Sequence, residues 1–128
     1  MTIGSKVAAL KAVLRAGASV FGLSAILLIT LPRFFTDLLG LVGSAELDWA
    51  MRMIGLTLVA LSGNMWVVSR SSSDRGVLLA ARVMQFAALG LGVITLLIPT
   101  SANWFVIAYA LVGLGFSLAY TLIFLQKD

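Results

Sequence analysis

Arg15, Arg52 and Arg82 are the charged side chains that reach farthest into the long apolar runs of this sequence. An arginine at such a position can hold a phosphate or carboxylate, or it can snorkel to a lipid head group. The neutral hydrogen-bonding groups of interest are Asn64, Gln85, Tyr109 and Tyr120. Together these residues can recognise a ligand, but they are poorly equipped for bond-breaking chemistry. The 128-residue chain contains no histidine and no cysteine. It therefore lacks the commonest general base and metal ligand, as well as any thiolate or disulfide. No acid falls in the middle of an apolar run, the serines have no base beside them, and no phosphate loop is present. These features point to a non-catalytic protein with no cofactor and no metal.

Composition fixes the solvent that the elements must face. The chain is 61% hydrophobic and 11% charged, with a mean hydropathy of +1.09. Soluble domains are roughly half apolar and a quarter charged, so this surface belongs in lipid. The sequence predicts an all-α fold: an integral membrane four-helix bundle forming a single transmembrane domain over residues 1–128. The spans are placed at about 6–31, 49–69, 74–98 and 103–125. Residues 83–126 carry no charge. Pro99 divides this stretch into two spans, and Ser101 or Asn103 can cap the second. Ala16–Leu31 ends in Leu-Pro-Arg with no small-x-small site, and reads as a span rather than a cleaved signal.

The basic residues predict orientation. Lys6, Lys11 and Arg15 lie at the first span, Arg70, Arg75 and Arg82 surround the second loop, and Lys127 follows the fourth span. The positive-inside rule puts both termini in the cytoplasm, with Asp37, Glu46 and Asp48 on the opposite side. Arg15 and Arg82 read as contacts to anionic lipid. With a net charge of +4, and with that charge close to the membrane, nucleic acid is not an expected partner.

The polar link between spans one and two is rich in Phe and Leu. Pro32 can open a helix, Phe34, Phe35, Leu38 and Leu39 share much of one face, and Gly40 ends it. The pattern predicts a short interfacial helix. It serves either as a lipid-seated connector or as a lid that brings Phe34 and Phe35 over the bundle mouth, with Arg52 below. Asp48 is expected to cap span two and pair with Arg52 at i+4. Asn64 and Gln85 each lie roughly 9 Å from their helix ends, so they are expected to meet between spans two and three. Arg15–Pro32 and Arg82–Pro99 repeat one spacing, and "LDWAM" and "ANWFV" open spans two and four. This reads as two helical hairpins.

Pro32, Leu39-Gly40-Leu41 and Arg52-Met53-Ile54-Gly55 resemble elements of the small four-span bacterial membrane proteins of the DoxX-like and related uncharacterised groups. The resemblance covers residues 32–55 and the number of spans. It implies a multi-pass protein of the bacterial inner membrane and carries no established activity.

Two functions follow. One is a small membrane subunit or scaffold that joins itself or a larger complex through glycine-lined helix faces. The other is a carrier, receptor or channel for a small apolar or amphipathic molecule between spans two to four. Its candidate ligand-binding residues are Arg52, Asn64, Gln85, Tyr109, Tyr120, Phe34 and Phe35. Arg52 and Asn64 sit about 120° apart on one helix, which disfavours a continuous polar channel. The scaffold is the preferred expectation, with membrane lipids and a homo-oligomer or larger complex as partners. A ligand-sized cavity at the bundle centre would favour the receptor.

Overall fold

The computed structural model describes residues 3–126. The helices are α1 (Ile3–Thr30), α2 (Pro32–Leu38), α3 (Ala45–Ser71), α4 (Asp74–Leu96) and α5 (Trp104–Leu125). Four of them are long and apolar enough to cross a membrane, since about 20 residues suffice for the hydrocarbon layer. Each long helix buries only a narrow stripe. On α1 it runs through Val7, Leu10, Leu14, Ala18, Ala25 and Leu28, at the three-to-four spacing of one helix face. Large apolar side chains point outward, among them Leu23 (69% exposed), Phe86 (68%) and Ile94 (69%). Such a surface is stable against hydrocarbon, and the chain is a multi-pass membrane protein.

Two seams hold the bundle. Along α1 and α3, which are antiparallel, Ser62 Oγ donates to Ala18 O at 2.7 Å. A Cβ on Gly55 would come within 3.2 Å of Ala25 O and 3.1 Å of Leu28 Cβ. Along α4 and α5, a Cβ on Gly113 would meet Gly92 N at 3.1 Å and Ala88 O at 3.2 Å. In lipid, where apolar burial does not drive association, this close backbone approach supplies the attraction. The helices thus pair as the two hairpins expected from the repeat, α1 with α3 and α4 with α5.

The connection through Ser72 and Ser73 joins α3 to α4, yet these helices touch little. The expected meeting of Asn64 and Gln85 requires neighbours packed along their length. A loop only brings ends together, however, and the glycine seams draw each helix toward a different partner. The result is a gap between α3 and α4.

Helix ends follow local chemistry. Ser44 caps α3, accepting from Leu47 N–H, Ser73 caps α4, accepting from Gly76 N–H, and Asn103 caps α5, accepting from Val106 N–H. Asp48 is therefore not the cap of α3, which begins a turn earlier than expected and places Asp48 in its first turn. The α2 helix begins at Pro32 and closes on Gly40, whose φ is +76°. Gly40 N–H donates to Asp37 O and Leu41 N–H to Thr36 O, a Schellman turn that favours glycine at this left-handed position.

Candidate functional site

A cavity of about 440 Å³ lies between the two hairpins. Its α3 wall is formed by Met51, Ile54, Leu58 and Met65, and its α4 wall by Met84, Ala88, Leu91 and Ile94. Tyr109, Val112, Phe116 and Tyr120 of α5 face it, as do Gly17, Val20, Phe21 and Leu28 of α1. Met51 to Met65 spans 14 residues of helix, roughly 21 Å. The lining therefore runs along much of the bundle's length, and the cavity is elongated. Ile54 of α3 and Leu91 and Ile94 of α4 line the cavity and are also exposed on the bundle surface, so the cavity is not closed on the side where α3 and α4 touch little.

The α2 helix closes the end remote from Ser72. Phe35 is only 6% exposed and stands edge-on to Phe105 and Tyr109, with ring centroids 5.5 and 5.7 Å away. Asn103 Nδ2 donates to Leu38 O at 2.9 Å, tying α2 to the start of α5. Arg33 reaches across the following loop and donates both Nε and Nη2 to the Asp48 carboxylate, at 3.1 and 2.9 Å. That hydrogen-bonded carboxylate holds the Arg33 guanidinium above its ordinary pKa. Gly43 leaves room for the Arg33 side chain to lie against the loop.

The predicted site residues separate into two groups. Phe35, Tyr109 and Tyr120 line the cavity. Phe34, Arg52, Asn64 and Gln85 do not. Phe34 is 52% exposed and points away from its neighbour, because adjacent helical residues diverge by about 100°. Arg52 does not pair with Asp48, which Arg33 occupies; its Nε donates to Ile29 O at 3.2 Å, capping the last turn of α1. The polar atoms of Asn64 and Gln85 are bonded to different partners. Asn64 Nδ2 donates to Ala60 O in its own helix. Gln85 Nε2 donates to Thr121 Oγ1 at 2.7 Å, and its Oε1 accepts from Arg82 Nη1 at 3.1 Å. Equal depth could not bring them together once α4 had turned that face to α5.

Arg15 donates to Ser69 Oγ at 3.3 Å and to Ser69 O at 3.5 Å. Arg82 stacks over Phe124, 3.9 Å from the ring centroid. Both remain exposed and bind helix seams as well as facing the surroundings. Three of the chain's five methionines, Met51, Met65 and Met84, line the cavity. They are absent from the site residues that the sequence suggests. Their flexible thioethers, which adapt to irregular apolar partners, were the available signal.

No protein-family model, curated protein or solved structure matches the chain.

Proposed function

We propose that this protein is a non-catalytic carrier or receptor that binds one slender apolar or amphipathic molecule between its hairpins. The observation that carries this reading is the elongated apolar cavity of about 440 Å³, a volume typical of small-molecule sites. It supports this reading over the scaffold that the sequence alone favours. The gap between α3 and α4 supplies entry from the bilayer, and Phe35 stops one end. Kinship with the DoxX-like proteins belongs to this proposal and contributes a four-span plan without an activity. Native mass spectrometry of wild type and Leu58→Trp, released from lipid, tests the reading. Wild type is expected to retain a bound lipid-sized mass, and the indole filling the α3 wall to abolish it. An empty wild-type cavity, or retention unchanged by Leu58→Trp, would overturn it.

The basic residues around Ser72 support cytoplasmic termini in a bacterial inner membrane. Cysteines introduced as Ser72→Cys and Ser101→Cys are expected to react with an impermeant reagent from opposite sides. Reaction from one side defeats that orientation.

One observation favours a second reading as a self-associating subunit. Asn64 is exposed on an apolar helix beside Gly63, which has open space in front of it. An amide facing hydrocarbon is costly and finds a partner most readily on another protomer.

A further inference from the structure

The Tyr120 hydroxyl is the one buried side-chain polar atom without a hydrogen-bond partner among the described residues. The residue is 1% exposed and lines the cavity. The other polar groups on the wall are occupied. Tyr109 donates its hydroxyl to Ser24 Oγ at 3.1 Å, and Thr95 donates to Leu91 O at 2.6 Å. Leaving a donor unmade in an apolar interior costs about 1–3 kcal/mol, so an unmatched hydroxyl enclosed in the wall of a cavity marks a place for a matching atom. A Cβ on Gly17 would lie 4.0 Å from the Tyr120 hydroxyl and 2.6 Å from Met65 Cε, so the Met65 methyl fills the place beside the phenol; it is the end of a flexible thioether, and a ligand reaches the hydroxyl by displacing it.

Resting on the cavity reading above, we infer that the occupant is a neutral single-chain lipid bearing a carbonyl, ether or alcohol oxygen, which accepts a hydrogen bond from Tyr120. The wall excludes charged heads: no Asp, Glu, Lys or Arg lines it, and an unpaired carboxylate or ammonium there would be severely destabilised. Arg15, the basic residue joined to the nearby Ser69 turn, is committed to that seam. Tyr120 lies 11 residues along α5 from Tyr109, roughly 16 Å. The accepting oxygen therefore sits deep, at the end of the cavity opposite Phe35, and the chain extends toward α2.

The test compares 2-hexadecanone, labelled with carbon-13 at its carbonyl, with hexadecane, on delipidated wild type, Tyr120→Phe and Leu58→Trp. Wild type is expected to bind the ketone in preference to the alkane, and Tyr120→Phe to lose about fivefold of that preference, the effect of one neutral hydrogen bond. The labelled carbonyl stretch should move to lower frequency in wild type and return in Tyr120→Phe. Ligand-free Tyr120→Phe should melt no lower than wild type, since it loses an unpartnered hydroxyl. A clearly lower melting temperature would mean the hydroxyl has a partner within the protein and overturns the inference. If both probes bind, Leu58→Trp blocks them, and Tyr120→Phe changes neither ratio nor carbonyl band, the cavity stands and the Tyr120 inference falls. If neither probe binds wild type, the cavity reading fails and takes this inference with it.

Discussion

The seam between α4 and α5 and the gap between α3 and α4 share a helix but are built differently. At the seam, Gly92 and Gly113 let two backbones meet. Ser117 Oγ donates to Gln85 O and Gln85 Nε2 to Thr121 Oγ1, adding a polar ladder. Facing the gap, Leu58, Met65, Met84 and Leu91 line the cavity with flexible bulk. In hydrocarbon neither arrangement gains from excluding water, so backbone proximity and hydrogen bonds decide which helices adhere. A side of the bundle lined by large apolar residues can open to lipid at little cost.

The largest expected effect tests the glycine contact. Gly113→Leu should destabilise the bundle by about 3 kcal/mol, read from reversible unfolding in mixed micelles, because the new side chain meets backbone that cannot turn aside. The same substitution at Gly90, where nothing lies within 4 Å of a new Cβ, should stay within about 0.5 kcal/mol of wild type. Equal losses at the two positions would erase the distinction between sealed and open faces.

A smaller effect separates the two amides. Gln85→Leu should cost about 1 kcal/mol, whereas Asn64→Leu should leave the isolated bundle nearly unchanged. The double variant should be additive within about 0.5 kcal/mol. Strong coupling would return Asn64 and Gln85 to a shared interface and close the gap. Light scattering on Asn64→Leu reads the second proposal as well: loss of an oligomer supports self-association through α3, and an unchanged mass removes it.

Much of the fold was legible because the membrane imposes simple constraints. Length and apolarity marked four spans, and Pro32, Gly40, Pro99 and Asn103 punctuated them through their backbone preferences. Helix starts were less exact. Asp48 is the cap the sequence suggests, and only the chain path shows that the earlier Ser44 hydroxyl accepts from Leu47 N–H while Arg33 takes the carboxylate. The candidate site was legible in part. Tyr109 and Tyr120 share a face by spacing, but Phe34 and Phe35 parted, and the methionine walls resemble ordinary core in a list of apolar residues.

Local sequence by itself determined the solvent this protein faces, its four crossings and the short α2 helix, because these depend on hydropathy and on backbone conformations within a few residues. Tertiary structure alone decided that α3 and α4 meet so little along their length, that Gln85 turns to Thr121, and that the Tyr120 hydroxyl is enclosed in the cavity wall without a partner. Those outcomes depend on which faces meet in three dimensions, where one missing Cβ can bring two helices together and one bulky side chain can hold the next pair apart.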